Sequence, residues 1–245
     1  MKTTILILLS VAGMLACADK KTQTEQETYA GNTAAQQTTM PASTDTLSYL
    51  ALGDSYTIGE SVSQAESFPY QLSSMLTQAG HPTAEPVIIA RTGWTTDELI
   101  SAIKQRNITR KFNFVTLLIG VNNQYRGYNI NTYTKEFVEL LNTAISYAGG
   151  NPKHVFVVSI PDWGVTPFAE GRDRATIGKE IDNYNDINRQ ESTKAGVNYC
   201  NITPISRQVA TNPSLAAGDG LHPSGAMYKL WVGQLEPMVA EVFGK

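Results

Sequence analysis

Apolar residues form two kinds of pattern along the chain from Leu47 onward. Short continuous apolar runs, which are typical of strands covered on both faces, lie at 47–52, 86–90, 114–119, 155–160 and 197–202. Between and after these runs, apolar residues recur at helical spacing over 68–79, 96–103, 137–145, 177–184 and 227–239. We expect the last helix to bend at Pro237, because proline cannot donate a backbone hydrogen bond.

Strands that alternate with helices, without hairpin turns between them, indicate a parallel sheet sandwiched between helices. The pattern therefore predicts an α/β protein, a three-layer α/β/α sandwich with a five-stranded, mostly parallel sheet. Because right-handed crossovers place the carboxyl ends of parallel strands along one edge, a functional site is expected at that edge. No internal repeat is visible, so we assign 47–245 to one domain.

The first 46 residues differ in composition from the rest of the chain. An apolar run follows Lys2 and ends in small residues, which predicts a signal peptide over 1–16. The segment 15–17 resembles a bacterial lipobox, so Cys17 is the candidate lipidated residue; cleavage after Ala18 is the alternative. Residues 18–46 contain eight Thr and no Leu, Ile, Val, Phe or Trp, so we expect 17–46 to be a flexible Thr/Gln-rich linker to a lipid anchor in the membrane.

Composition and charge exclude several classes of function. With 19 basic against 22 acidic residues and no charge block in the body of the chain, nucleic-acid binding is not expected. Two cysteines cannot form a disulfide framework or a four-thiolate zinc site, and we expect Cys200 to be a small buried strand residue. His81 and His154 lack ligand-like spacing with carboxylates or with Cys200, so no metal site is predicted.

Chemically capable residues follow the predicted strands and lie in the final loop. The segments concerned are 53–57, 91–95, 120–123 and 219–224. Acyl transfer needs a hydroxyl nucleophile, a base, a carboxylate that orients the base, and donors for the oxyanion. Ser55, His222 and Asp219 can supply the first three roles. The backbone N–H groups of Ser55 and Gly93, with the side chain of Asn122, can supply the donors.

Each of these residues also has a plainer interpretation. Ser55 could cap the first helix, and Asn122 could be an ordinary turn residue. Asp219 and His222 could be a turn followed by a surface histidine. Asp54 ends a strand, and we interpret it as an acceptor that stabilises the loop rather than as a catalytic acid. The four segments together favour the catalytic interpretation over these alternatives.

The same four segments resemble the four sequence blocks of the SGNH, or GDSL, hydrolase family. They occur in the family's order, and the resemblance covers essentially all of 47–245. It implies a flavodoxin-like α/β/α fold, Ser55 as nucleophile, His222 as general base and Asp219 as its partner. It also implies oxyanion donors from Ser55, Gly93 and Asn122, and no metal or organic cofactor.

Two positions depart from the family's usual pattern. Asn123 stands where the third block more often has Asp, which puts in doubt the structural bonds that this Asp makes. Tyr56 replaces the Leu of the family's name-giving motif. The Gly-x-Ser-x-Gly elbow of the other large serine-esterase fold is absent around Ser55, which argues against that fold.

Aromatic residues crowd the same edge of the predicted sheet. They could stack on sugar rings or bound an acyl pocket, or they could only cover the sheet end. The residues are Tyr56, Trp94, Tyr125, Tyr128 and Trp163. The longest loops, 122–131 and 161–174, are expected to shape the leaving-group side of the site.

The sequence thus predicts an exported, lipid-anchored serine hydrolase of carboxylic esters. Its substrate would be a lipid-like or small acyl ester, a small molecule or a glycan. A carbohydrate acetylesterase or an acetyltransferase on glycans is the alternative, since the first half-reaction is shared. From another class, a non-catalytic glycan-binding lipoprotein is the further alternative. The sequence sets no oligomeric state.

Overall fold

The computed structural model describes residues 45–244. The predicted signal peptide, the lipidation of Cys17 and the linker up to residue 44 therefore lie outside the described residues. Among residues 45–244, no helix combines the length and the apolar character that a membrane crossing requires.

Five parallel strands form one sheet in the order β2-β1-β3-β4-β5. The strands are β1 (Tyr49–Gly53), β2 (Val87–Ala90), β3 (Phe114–Leu118), β4 (Val155–Val158) and β5 (Asn198–Cys200). This order is the flavodoxin-like one, and all four strand pairings are parallel rather than mostly so. Each strand is shorter than its apolar run, because the runs continue into the turns at the strand ends.

Five long helices cover the two faces of the sheet. They are α2 (Phe68–Gln78), α3 (Thr96–Arg106), α5 (Ile130–Tyr147), α6 (Arg174–Ala195) and α8 (Gly225–Phe243). Helix α2 packs against α8, while α3, α5 and α6 pack as neighbours. With right-handed crossovers, this pairing places α2 and α8 on one face and the other three on the opposite face. The predicted three-layer sandwich is confirmed.

The sequence predicted no range for three short helices: α1 (Ser55–Ile58), α4 (Val121–Tyr125) and α7 (Thr203–Ser206). They have four or five residues, which is too short for a helical period to be visible in the sequence. The first two begin directly after β1 and β3, at the carboxyl edge of the sheet. Helix α8 continues through Pro237, and the predicted bend there stays a prediction.

The core consists of the sheet and the inner faces of its helices. All five residues of β1 and of β3 are buried, as their apolar runs predicted for central strands. Cys200 is buried at the end of β5, which confirms its expected place. Burial raises the pKa of its thiol to about 12, so this thiol stays protonated at neutral pH.

Candidate active site

Asp219 and His222 form a hydrogen-bonded pair in the loop before α8. The Nδ1 atom of His222 lies 2.6 Å from Oδ2 of Asp219. The other carboxylate oxygen, Oδ1, accepts hydrogen bonds from the backbone N–H groups of Leu221 and His222 at 2.9 and 3.0 Å. The loop thus turns around its own carboxylate, which fixes the direction of the imidazole. A surface histidine after a plain turn does not describe this geometry, since His222 is buried.

The Asp219 carboxylate is held ionised by its hydrogen bonds. Partial burial raises its pKa, but four hydrogen bonds outweigh that cost and hold the pKa well below its usual range. Two donors are the backbone groups of the loop, the third is the imidazole, and the fourth is the hydroxyl of Ser61 at 2.7 Å from Oδ2. A charged carboxylate in this position holds the imidazole of His222 through Nδ1.

Ser55 lies at the turn where β1 ends and α1 begins, with 4% of its surface exposed. Ser55 is the first residue of α1, and the cap is Asp54, whose Oδ1 accepts the Tyr56 N–H at 3.0 Å. Capping is therefore not the role of Ser55, and Asp54 stabilises the turn as expected. Gly53 makes the turn possible, since a Cβ there would lie 2.4 Å from the carbonyl oxygen of Leu118.

Asp54, next to Ser55 in the chain, is completely buried. Its second oxygen, Oδ2, has no hydrogen-bond partner among the described residues. Burial raises the pKa of the Asp54 carboxyl to about 8, above the lowering effect of the bond from Tyr56. Burial therefore favours the neutral form of this carboxyl in the folded protein, and its bond to the Tyr56 N–H caps α1.

The loop of the candidate oxyanion donor Gly93 is held by hydrogen bonds from Asn122 and Arg126. The side-chain Nδ2 of Asn122 donates to the carbonyl of Trp94 at 2.9 Å, which leaves its second N–H for another acceptor. The Arg126 guanidinium donates to the carbonyl of Gly93 at 2.6 Å. Gly93 has φ +83°, which favours glycine. Helix α4 and the cap residue that follows it therefore hold the loop that carries the Gly93 N–H.

Asn123 fixes the same loop at its far end. It is fully buried, its Oδ1 accepts the backbone N–H of Thr96 at 3.1 Å, and its Nδ2 donates to the Thr96 hydroxyl at 2.7 Å. An ionised Asp at this position could accept hydrogen bonds from the backbone N–H and the hydroxyl of Thr96, but it could not donate to the Thr96 hydroxyl oxygen. In this chain Thr96 instead directs its hydroxyl hydrogen to Glu136. The Asn123 departure is thus accommodated by a local pairing of the amide with Thr96.

One cavity of about 190 Å³ brings most of the sequence-predicted site residues together. Its lining includes Ser55, Gly93, Asn122 and His222, and the aromatic residues Tyr56, Tyr125 and Trp163. Asp219 lies behind His222 and does not line the cavity. The ring centroids of Tyr56 and His222 are 5.4 Å apart, so Tyr56 packs on the imidazole.

Two of the aromatic residues have other surroundings. Trp94 is half-buried against the core and does not line the cavity; its carbonyl, rather than its indole, serves the site by accepting the bond from Asn122. Tyr128 is also absent from the lining, and its carbonyl accepts the hydroxyl of Tyr184 at 3.3 Å.

Tyr125, Trp163 and Phe168 form a wall of the cavity, which we call the aromatic wall. Their ring centroids lie 5.4 to 6.5 Å apart. The guanidinium carbon of Arg172 lies 5.4 to 5.5 Å from all three centroids, yet Arg172 does not line the cavity. Arg172 therefore backs the wall from the side away from the cavity.

The wall is also fixed to its neighbours. The Trp163 indole N–H donates to Gln124 at 2.8 Å, and Gln124 in turn donates to Glu180 at 2.7 Å. The backbone N–H of Phe168 donates to the carbonyl of Gly220 at 2.9 Å, which joins the wall to the His–Asp loop.

Several residues of the site were given no individual role by the sequence. Thr92, Val121, Phe168 and Leu221 line the cavity. Phe168 lies in the 161–174 loop that was expected to shape the site, but nothing in the sequence distinguishes it from the other residues of that loop. Thr92, Val121 and Leu221 lie within the predicted segments 91–95, 120–123 and 219–224, where roles were assigned only to their neighbours. In residues 45–244 no three His, Cys, Asp or Glu side chains come together as metal ligands would.

A flavodoxin-like sheet with a serine, a His–Asp pair and amide donors at its carboxyl edge is the arrangement expected of the SGNH, or GDSL, hydrolases. The chain belongs to the GDSL-like lipase/acylhydrolase family, whose model matches residues 51–230. Membership implies esterase or acylhydrolase activity. The predicted family is thus confirmed, and a search of the curated proteins finds no match.

Solved structures of similar fold agree with this assignment. TesA superposes with a TM-score of 0.62 at 15% identity, over 80% of this chain and 99% of that one. The acetylxylan esterase Axe2 from Geobacillus stearothermophilus gives 0.59 at 18% identity, over 84% and 97%. A lipase/acylhydrolase from Enterococcus faecalis gives 0.59 at 19% identity, over 81% and 96%. At these identities the likeness establishes the fold alone.

Proposed function

We propose that this protein hydrolyses carboxylic esters through an acyl-enzyme on Ser55. The observation that carries the proposal is the 2.6 Å bond between His222 Nδ1 and Asp219 Oδ2, on an imidazole that lines one cavity with Ser55. Because Nδ1–H donates to the carboxylate, Nε2 is the nitrogen left to accept a proton. The His–Asp pair is thus prepared as a general base for a hydroxyl in that cavity.

The reaction follows from these roles. Ser55 Oγ attacks the ester carbonyl while Nε2 of His222 takes its proton and then returns it to the leaving alcohol. Water attacks the acyl-enzyme by the same route, which releases the acid and frees Ser55. The Ser55 and Gly93 N–H groups and the second N–H of Asn122 would stabilise the negative charge on the carbonyl oxygen.

For the substrate, the proposal is a short acyl ester. The cavity of about 190 Å³ ends at the aromatic wall, and Trp163 in that wall is fixed by its bond to Gln124. An acetyl or butyryl group fits such a space more easily than an extended lipid chain. A lysophospholipase-like preference would instead require a long chain to run over the exposed part of the wall.

A glycan acetylesterase is the second candidate. Tyr125 and Phe168 expose 47% and 40% of their surfaces, and exposed aromatic rings beside a nucleophile are suited to stack on a sugar ring. One of the solved relatives is an acetylxylan esterase. An acetyltransferase would differ only in the acceptor of the second step, and a non-catalytic glycan binder would lack turnover.

The acyl preference is tested with p-nitrophenyl acetate, butyrate, octanoate and palmitate. We expect the highest kcat/KM on acetate or butyrate, and no turnover by Ser55→Ala. Circular dichroism serves as the control that both proteins are folded. An optimum at octanoate or palmitate would contradict the short-acyl proposal. Activity that is retained in Ser55→Ala would contradict the mechanism.

We also propose export and lipid attachment at Cys17, as the N-terminal sequence suggests. Metabolic labelling with a radioactive fatty acid should mark the wild type but not Cys17→Ser. Equal labelling of both proteins would exclude Cys17, and labelling of neither would favour cleavage after Ala18.

A further inference from the structure

We infer that Ser61 is a positioning residue of the Ser55–His222–Asp219 triad, an inference that deepens the proposed function and rests on it. Ser61 Oγ donates to Asp219 Oδ2 at 2.7 Å, and the same oxygen lies 2.6 Å from His222 Nδ1. The other two donors to Asp219, Leu221 N and His222 N, belong to the loop of Asp219 itself. Among its four donors, Ser61 alone comes from another element.

The backbone around Ser61 ties this donor to the nucleophile. The N–H groups of Gly59 and Glu60 both donate to the Ser55 carbonyl, at 3.2 and 3.1 Å. The chain therefore folds back over the end of α1, and Ser61 leaves this turn toward Asp219. A displacement of α1 would move the Ser61 hydroxyl with it. The positions of Ser55 and of the Asp219 carboxylate are therefore coupled through Ser61.

Glu60 connects the same turn to the oxyanion loop. Its carboxylate accepts a hydrogen bond from the hydroxyl of Thr92, the residue before Gly93. Two consecutive residues thus link Ser55 to the acid on one side and to the oxyanion loop on the other. The Asp219 loop and the Gly93 loop are thus each bonded to the Ser55 turn by side chains that take no part in the proton transfers.

The backbone conformation of Ser61 indicates that its side chain has a role, because glycine would fit this conformation better. Its φ is +66°, a left-handed value that favours glycine and strains a serine. Among residues 45–244, Asn107 is the other non-glycine residue with a positive φ, and asparagine tolerates that region. Ser61 is solvent-exposed, so packing does not require a serine here. Its hydroxyl bond to Asp219 is the contact that glycine could not make.

The test compares Ser61→Gly and Ser61→Ala with the wild-type protein. Glycine relieves the left-handed φ, so folding should be retained; alanine keeps the strain, and both remove the hydroxyl. We expect kcat to fall about 5- to 30-fold in both variants, as for a lost hydrogen bond to a charged group, with KM within about twofold. Asn107→Gly is the matched control, because it relieves a positive φ at the C-terminus of α3 and should leave kcat unchanged.

A second readout needs no turnover. Proton NMR follows the His222 Nδ1–H that is shared with Asp219, assigned by its loss in His222→Gln. We expect this proton to exchange faster with solvent in Ser61→Gly than in the wild type, because the carboxylate becomes free to turn. Lower kcat together with faster exchange supports the inference.

Two results would overturn it. Wild-type kcat and exchange in Ser61→Gly would leave Ser61 without a role in the site, and a lower kcat with unchanged exchange would show that it does not act through Asp219. If the wild type hydrolyses no ester, the proposed function fails, and the exchange rate alone still decides for or against Ser61.

Discussion

Asn122 has one side-chain amide and two tasks. One hydrogen is used by the Trp94 carbonyl at 2.9 Å, and the other is available to the oxyanion. We therefore expect Asn122→Ala to lower kcat by about 10²–10³, or roughly 3–4 kcal/mol, in a steady-state assay. Arg126→Met is the control for loop loosening, since it removes the bond to Gly93 and the ion pair with Glu98, leaves Asn122 in place, and should cost less than about tenfold. An intact rate in a folded Asn122→Ala protein would remove Asn122 from the oxyanion hole.

Asp54 makes stability depend on pH. In the unfolded chain its pKa is the ordinary 3.8, whereas in the folded protein burial raises it to about 8. The folded state binds the extra proton between these values, so the free energy of unfolding should fall as pH rises from about 4 to about 8 and then level off. Asp54→Asn should remove this slope and raise Tm at about pH 8 by several degrees.

Thermal melts at pH 5 and pH 8 of both proteins measure this effect. The same change in Tm between pH 5 and pH 8 for wild type and Asp54→Asn would show that Asp54 is ionised at both pH values.

Asp219 acts in the opposite direction, because its pKa is lowered: its contribution to stability is present above about pH 4 and is lost in stronger acid. The effects of Asp54 and Asp219 on the free energy of unfolding are therefore seen in different pH ranges.

At the residue scale, the sequence predicted the groups that belong to compact motifs. Ser55 follows a strand within a short block, and Asp219 and His222 are three positions apart. Ser61 and Arg172 were missed, because their partners are distant or irregularly spaced. Ser61 contacts Asp219 across 158 positions of sequence. A single sequence contains no periodicity or spacing rule that pairs such residues.

At the scale of elements, the β1–α1 turn depends on Gly53. A Cβ there would lie 2.1 Å from the Thr57 hydroxyl and 2.4 Å from the Leu118 carbonyl, and the second contact is with backbone that cannot give way. Gly53→Ala should lower the free energy of unfolding by about 2–3 kcal/mol in a urea titration. Gly233→Ala, on the exposed side of α8, should instead raise it slightly, by about 0.5–1 kcal/mol. Equal stability of the two variants would contradict the steric account of this turn.

The aromatic wall should limit the acyl chain. Phe168→Ala removes an exposed ring of the wall, so the ratio of kcat/KM for octanoate to that for acetate should rise about fivefold, a change of about 1 kcal/mol. Leu230→Ala is the matched control, because Leu230 has a similar exposure on α8 and does not line the cavity. An unchanged ratio in Phe168→Ala would show that the chain leaves the site in another direction.

Whether a helix could be predicted depended on its length, and the apolar runs of the strands were also visible. The five strands and the five long helices follow from apolar runs and helical spacing. The three short helices escaped because four or five residues complete barely one turn. Two of these, α1 and α4, carry Ser55 and Asn122, so the elements nearest the chemistry were the least visible. Their existence follows from the turns at the strand ends, which tertiary contacts determine.

At the scale of the whole domain, topology explains why distant blocks meet. The order β2-β1-β3-β4-β5 places β1 between β2 and β3. The loops after these three strands therefore lie side by side, with Ser55 flanked by Gly93 and Asn122. The last loop brings Asp219 and His222 to the same edge before α8 packs back on α2. Handedness rules predicted this edge, whereas the shape and volume of the cavity depend on loop packing that no pattern specifies.

The central claim is that Ser55 is a nucleophile activated by His222. Covalent labelling with a fluorophosphonate, followed by peptide mass spectrometry, tests it without knowledge of the natural ester. We predict one adduct, located on Ser55, with no labelling of Ser55→Ala and strongly slowed labelling of His222→Ala. A folded wild-type protein that forms no adduct, or forms it on another residue, would contradict the account.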